Sequence, residues 1–471
     1  MIMSTPVIWV IFPIIVAGIC IFLSSRRRLT MAIASLTAFV LALLAAFFPE
    51  ELNISIGPLA ITLVESLHVL GRKLNLIYGM FPMIALIYGT TGLWLLTSNL
   101  PGVPKAFQPA SLVIAATITA ALGVEPFLYA ALFIETAVLI SVPMLTSLGG
   151  DKNQGILRYL SLMTIAMPFI LIAGWLLSGV VTLPSDSPLI GQSAVVLGLG
   201  FAIWLAVFPF HNWVPMVSQT SHPVVSSFLL FILPTGILVF GLNFLNRYGF
   251  LRSSETLFNI IRITGALMIA FGGVLTAAQD LLKRAFGFSA LTEIGYSLLA
   301  LGMASEGGII WLLLMFPARA LGYWLWGYTL SRFESNYDVP LNLDVIQGDG
   351  RRVPILSTGL ILAQLSVAGL PLLASFPIKI ALLTQAMVES KVLGGWSLFG
   401  ALGLFLFSIR VLLSLYHPGD FETQQPLLPK ESFLIYLPVI LAIGLLVVLG
   451  LFPGKLFSGI INTLSAFPQL Q

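Results

Sequence analysis

Apolar runs long enough to cross a bilayer recur along the whole sequence, and they constrain the fold more than any single motif. The hydrocarbon core of a membrane requires about 20 predominantly apolar residues per helix. Of the 471 residues, 58% are hydrophobic and only 9% are charged, whereas soluble domains carry about 25% charged residues. The sequence therefore predicts an all-α polytopic membrane protein.

Charged residues and Pro/Gly breaks divide the apolar runs into about fourteen predicted spans. The seventh contains Pro209 near its end, and the twelfth contains Gly369-Leu370-Pro371, so we expect both to be broken helices. The spans cover residues 7–23, 30–48, 73–97, 108–124, 126–148, 156–180, 189–210, 223–246, 256–278, 284–303, 307–330, 353–389, 392–416 and 432–453.

The spacing of the two breaks predicts an internal repeat. They lie five spans apart, which matches one five-helix repeat in residues 108–246 and another in residues 256–416. An odd number of spans per repeat makes the two repeats inverted relative to each other, as in many transporters. The whole chain is then one membrane domain, with three N-terminal spans in residues 1–107 and a C-terminal span and tail in residues 432–471.

The distribution of lysine and arginine predicts the orientation of the chain. The first apolar run is followed, not preceded, by Arg26, Arg27 and Arg28, which favours a retained span over a cleaved signal peptide. Loops after odd-numbered spans carry more basic residues than the others, and cytoplasmic loops are enriched in these residues. We therefore expect both termini on the non-cytoplasmic side. The polar stretch 334–352 is the best candidate for contact with a neighbouring protein.

Several classes of site are not expected on this chain. Cys20 lies in an apolar run, and the four histidines lack the spacing of metal ligands. The sequence has no Gly-rich dinucleotide motif, no phosphate-binding P-loop and no Cys-x-x-Cys pair. Its net charge of +3 forms no basic stripe, so nucleic acid is not an expected partner. We expect no cofactor, metal or redox site.

Ionisable residues far inside predicted spans point to function, because such positions are costly in a membrane. Glu135, Glu293, Arg319 and Lys379 are of this kind. Buried carboxylates and lysines can exchange protons, whereas an arginine stays charged and sets the local field. Glu293 and Arg319 fall on successive spans and are placed to pair. These residues predict a proton or cation path, with structural ion pairing as the alternative.

Three segments resemble the signatures of one family. They are FPFHNWVPMVSQTSHPVVSSFLL at 208–230, DLLKRAFGFSALTEIGYSLLALG at 280–302 and GLPLLASFPIKIALL at 369–383. Their order and spacing are similar to those of the antiporter-like subunits of respiratory complex I and of Mrp-type cation/proton antiporters. The resemblance implies a fourteen-helix fold with two inverted repeats, protons or monovalent cations as cargo, and other membrane subunits as partners.

The resemblance also implies roles for individual residues. Glu135, Glu293, Arg319 and Lys379 match proton-path positions of the family, and His211 lies in its seventh-span signature, although Arg319 stands where the family has lysine and Glu293 where many members have histidine. Two further lysines are missing, because their positions hold the residues Trp204 and Pro234. The first half of the protein is therefore expected to be a degenerate half-channel.

Three functions remain open at this point. The first is a proton- or cation-translocating subunit of a complex I-like or Mrp-like assembly, driven by other chains of an NAD(P)H:quinone oxidoreductase or antiporter complex. The second is a non-conducting scaffold paralogue, or a variant specialised for inorganic carbon uptake. The third is a stand-alone transporter of an organic solute. The first two imply a bacterial inner membrane or a thylakoid-type membrane.

Overall fold

Helices make up most of the structure. The computed structural model describes residues 2–48, 53–56, 59–69, 71–146, 154–178, 188–337, 339–417, 433–456 and 458–470. Its helices are α1 (Phe12–Phe22), α2 (Arg27–Ala46), α3 (Phe81–Leu96), α4 (Phe107–Gly123), α5 (Ala130–Leu145), α6 (Gln154–Ser178), α7 (Pro188–Trp204), α8 (Trp213–Thr220), α9 (Pro223–Arg247), α10 (Gly249–Arg252), α11 (Glu255–Ala277), α12 (Leu282–Gly302), α13 (Gly308–Glu334), α14 (Asp349–Arg352), α15 (Pro354–Ala368), α16 (Phe376–Glu389), α17 (Lys391–Tyr416), α18 (Phe433–Leu451), α19 (Pro453–Leu456) and α20 (Ser458–Ile461).

The length and apolar composition of these helices suit a membrane. Within the described ranges, nine helical segments are long and apolar enough to span a bilayer, and five shorter apolar helices accompany them. Exposed leucine, isoleucine and phenylalanine side chains cover the outside of the helices, as expected where the solvent is lipid. The prediction of a mostly helical polytopic membrane protein is confirmed.

Short strands at one end of the helices correct one predicted boundary. β1 (Ile2–Ser4), β3 (Leu59–Val64) and β2 (Asn53–Ile56) form one three-stranded sheet in that order. β4 (Ser66–Val69), β5 (Arg72–Asn75) and β6 (Val124–Glu125) form a second. The third span was expected to begin at residue 73, which lies in β5, whereas α3 begins at Phe81. The apolar residues of this short hairpin extend the hydropathy signal beyond the helix.

Two helices form the centre of the protein. α12 is buried from Ala285 to its end and α9 along most of its length, whereas α6 and α17 expose much of their surface. α11 packs between α12 and α17. Its approach to α17 is backbone to backbone, because a Cβ atom on Gly273 would collide with the main chain of Gly400. Small residues allow such close helix packing in membranes.

The helix interruptions predicted from Pro209 and from Gly369-Leu370-Pro371 are both present. α7 ends at Trp204, and α8 begins at Trp213 after an irregular segment in which Ala206 has a positive φ of 52°. α15 ends at Ala368, and α16 begins at Phe376. Gly369 follows α15 with a φ of 84°, a left-handed conformation that glycine adopts without strain at a helix C-terminus.

Candidate functional site

Glu293 lies at the centre of a buried charged cluster. It is on α12, and its side chain is only 4% exposed. The Arg319 guanidinium donates from Nε to Glu293 Oε2 at 3.0 Å. The Lys379 ammonium donates to the other carboxylate oxygen, Oε1. One carboxylate therefore accepts hydrogen bonds from two buried cations, which is the condition under which buried charges are tolerated.

Arg319 is fixed against one face of α12. Besides the bond to the Glu293 carboxylate, its Nη2 donates to the main-chain oxygen of Glu293 at 2.7 Å and to Ser297 Oγ at 2.6 Å. Residues four positions apart on a helix lie on the same face, so Glu293 and Ser297 present their groups to one planar guanidinium. The pairing predicted from successive spans is confirmed, and its geometry leaves Arg319 little freedom to move.

Lys379 reaches the cluster from the break between α15 and α16. Its ammonium also donates to the main-chain oxygen of Val367, in the last turn of α15. The last carbonyls of a helix lack partners within the helix and carry partial negative charge. The break thus supplies a ligand for the ammonium that an uninterrupted helix would have used for its own hydrogen bonding.

Glu135 lies outside this cluster. It is on α5, is 7% exposed, and accepts a hydrogen bond at Oε1 from Thr164 Oγ1 at 2.7 Å. In the described part of the chain, its Oε2 has no hydrogen-bond partner and no lysine or arginine forms an ion pair with it. Trp204 is buried nearby and donates from Nε1 to the oxygen of Met163 at 3.1 Å.

His211 also lies outside the cluster. Its ring stacks on Phe208 and meets Phe271 edge-on, with centroids 5.5 Å and 5.1 Å apart. It borders a cavity of about 420 Å³ whose other walls are apolar and include Trp396. Among the described residues, none of the hydrogen bonds of Glu293, Arg319 and Lys379 reaches His211. The structure therefore brings three of the five predicted residues together.

A polar cluster near the ends of α11, α12, α13 and α17 was not singled out as a site by the sequence. Arg410 Nη2 lies 2.7 Å from Asp280 Oδ1, and Lys283 Nζ lies 2.9 Å from Glu334 Oε1. Such pairs link residues far apart in the chain, so sequence spacing gives no signal for them. They hold loop ends together and have no direct contact with the Glu293 carboxylate.

The loop before α15 contains a second unpredicted contact. The Tyr337 hydroxyl donates to Asp349 Oδ2 at 2.6 Å, and Asp349 is fully hidden from solvent. Burial raises the pKa of Asp349, while the Tyr337 hydroxyl and Arg352 oppose the rise. This hydrogen bond joins two residues of the predicted contact stretch 334–352 to each other.

Comparison with known proteins shows which family the sequence resembles. Residues 176–405 match a family described as NADH:quinone oxidoreductase/Mrp antiporter, TM. The chain resembles antiporter-like membrane subunits. The resemblance inferred from the three sequence segments is confirmed. The matched residues include Glu293, Arg319 and Lys379, whereas Glu135 precedes them.

One curated relative of this chain is the F(420)H(2) dehydrogenase subunit N of Methanosarcina mazei. It is 26% identical over 282 residues, which cover 55% of this chain and 54% of that protein. The chain spans about half the length of the curated relatives it matches.

Solved structures share the fold over almost the whole chain. A chain of the membrane-bound sulfane sulfur reductase, an archaeal respiratory membrane complex, has a TM-score of 0.82 at 16% identity, covering 99% of this chain and 97% of that one. A chain of the Mrp complex from Dietzia sp. has a TM-score of 0.78 at 14% identity, covering 98% of this chain and 97% of that one. At these identities the likeness concerns the fold.

Proposed function

We propose that this chain is a proton-translocating, antiporter-like subunit of a multi-subunit membrane complex of the complex I or Mrp kind. The observation that carries the proposal is the buried cluster of Glu293, Arg319 and Lys379 at the break between α15 and α16. Ionisable groups at such depth mark proton or ion paths in membrane proteins. Protons would pass through the second half of the protein.

The charges of the cluster favour Lys379 as the group that exchanges the proton. Arg319 remains charged at any physiological pH. When Lys379 releases its proton, Glu293 and Arg319 remain as a balanced pair, so no buried charge is left without a partner. When Lys379 is charged, the additional positive charge faces the carbonyl of Val367 at the end of α15. Both states of the lysine are therefore accommodated.

The same contacts favour protons over metal cations as cargo. Monovalent and divalent metal ions require several free oxygen ligands. Both oxygens of the Glu293 carboxylate already accept hydrogen bonds from positively charged groups, which would also repel a metal ion. A proton needs no such coordination shell, because it resides on the lysine nitrogen itself.

The first half supports a second candidate function. Glu135 has no cationic partner among the described residues, and the uncharged Trp204 is buried beside α6. An indole does not take up protons in the physiological range. The degenerate first half favours a non-conducting scaffold, should the second half also prove inactive. Specialisation for inorganic carbon uptake would be a variant of this role.

The organisation proposed for the chain is fourteen spans with two inverted five-helix repeats in residues 108–246 and 256–416. It is supported by the helix breaks after α7 and after α15, which fall at corresponding positions of the two segments.

We further propose that both termini lie on the non-cytoplasmic side of a bacterial inner membrane or a thylakoid-type membrane. Redox or ion-coupling energy would then come from partner subunits.

The proposal is tested by proton flux through vesicles that contain the assembled complex, after an imposed pH jump and with a pH-sensitive dye inside. We expect Lys379→Ala to lower the flux at least about tenfold, because the exchanging group is absent. Lys391→Ala, an exposed lysine at the start of α17, is the matched control and should behave as wild type. Unimpaired flux with Lys379→Ala would favour the scaffold.

A further inference from the structure

The ammonium group of Lys379 has three distinct neighbours. Two are oxygen atoms, Glu293 Oε1 and the main-chain oxygen of Val367. The third is the ring of Tyr296, whose centroid lies 4.4 Å from Nζ. An ammonium carries three N–H donors and no acceptor. Two oxygens and one aromatic face therefore satisfy this group, which is only 5% exposed.

The position of Tyr296 follows from the helix that carries it. Tyr296 is three residues after Glu293 on α12, so the carboxylate and the ring lie on the same helix face. The ring is 2% exposed, and a desolvated aromatic face attracts a cation more strongly than an exposed one. On the other side, the lysine stem passes Gly369, where a Cβ atom would lie 3.1 Å from Lys379 Cδ.

We propose that Tyr296 is a positioning residue that holds the charged form of Lys379 on Glu293 through its aromatic face. This inference rests on the proposed role of Lys379 in proton translocation. The aromatic face attracts the ammonium but has little attraction for the neutral amine. Tyr296 thus favours the protonated state of the lysine and sets the pH range over which the lysine exchanges its proton.

The helices around α16 carry other titratable and charged groups, of which Arg319 acts on Lys379. α13 contributes Arg319, and its Tyr323 lies close enough to interact with Glu293 and Arg319. α17 carries Lys391 at its start and Arg410 towards its other end. None of these groups supplies an aromatic face to Nζ among the described contacts. The contribution of Tyr296 is therefore separable by changing the ring alone.

The test is the pH profile of proton flux in vesicles that contain the assembled complex. Tyr296→Phe keeps the aromatic face, so the midpoint of its pH profile, the pH at which the flux is half-maximal, should equal that of the wild type. Tyr296→Leu removes the face, and we expect the midpoint to move to lower pH by about one unit. Tyr88→Leu, which removes an equally buried ring in α3, should leave the midpoint unchanged.

A second series keeps the shape of the ring and guards against misfolding of the leucine variant. Phenylalanine analogues with increasing fluorination, placed at position 296, progressively weaken the negative face of the ring. We expect the midpoint to fall progressively with fluorination. A midpoint that stays at the wild-type value throughout this series and in Tyr296→Leu would overturn the role of Tyr296. Unimpaired flux in Lys379→Ala would instead overturn the proposed function itself.

Discussion

Glu293 is the residue on which the charge balance of the buried cluster depends. It accepts hydrogen bonds from Arg319 and Lys379, both nearly inaccessible to solvent. The sequence predicted the pairing of Glu293 with Arg319, because their spans are consecutive and both residues lie deep within them. It could not predict the contact with Lys379, which is 86 residues away from Glu293. That contact depends on how the break between α15 and α16 directs the lysine.

The charge count predicts unequal effects of two substitutions on stability. Glu293→Gln leaves two buried cations without a counter-charge, and loss of one partner from a buried pair costs about 3–5 kcal/mol. Arg319→Met leaves Glu293 and Lys379 as a balanced pair and should cost less. Thermal unfolding of the detergent-purified complex at neutral pH measures both. A larger loss for Arg319→Met than for Glu293→Gln would contradict this account of the cluster.

Helix ends and breaks determine where the polar groups of this protein lie. Proline and glycine at Pro209 and Gly369 predicted both breaks, because these residues interrupt helical hydrogen bonding or adopt left-handed conformations. The end of α3 adjacent to β5 was not predicted, since a short strand and a following helix give one continuous apolar signal.

The N-terminus of α9 is capped by a histidine side chain. His222 Nδ1 accepts from the Val224 N–H at 3.3 Å, and its Nε2 lies 3.1 Å from the Pro101 oxygen.

Low pH should weaken the helix cap that His222 forms at the start of α9. Burial, aided by the cations Lys283 and Arg27 and opposed by the Pro101 carbonyl, lowers the pKa of His222 to about 4. The histidine of the unfolded chain has a pKa near 6.5. The unfolded state therefore binds the proton first as pH falls. The contribution of His222 to the free energy of unfolding is fully present above about pH 6.5. It should decrease by roughly 2 kcal/mol as pH falls towards about 4.

Thermal unfolding followed between pH 7 and pH 4 distinguishes this contribution. His222→Asn retains a side chain that caps a helix well but cannot titrate, so its stability should vary less with pH than that of the wild type. His68→Asn, at an exposed position of β4, provides the matched control and should follow the wild-type curve. Parallel curves for wild type and His222→Asn would exclude a role of His222 in the acid sensitivity.

Over the whole molecule, the two halves share broken helices but differ in their charged groups. The second half joins a carboxylate, a guanidinium and an ammonium around its break. In the first half, Glu135 contacts the hydroxyl of Thr164, and an indole occupies the position before the break. The sequence already indicated this difference through Trp204 and Pro234. It could not show whether another described residue replaces the missing lysines in space.

This asymmetry predicts that the carboxylate of the first half is dispensable for proton flux. Glu135→Gln keeps an oxygen that accepts from Thr164, and no buried cation loses its counter-charge. Because the proposed path runs through Lys379, the flux of the variant should stay within about twofold of wild type under the conditions in which Lys379→Ala loses it. The change is isosteric and removes only the ability to ionise, so a structural effect should be small. If Glu135→Gln loses flux as fully as Lys379→Ala does, then Glu135 belongs to the path, and protons cross the first half without the lysines that its break lacks.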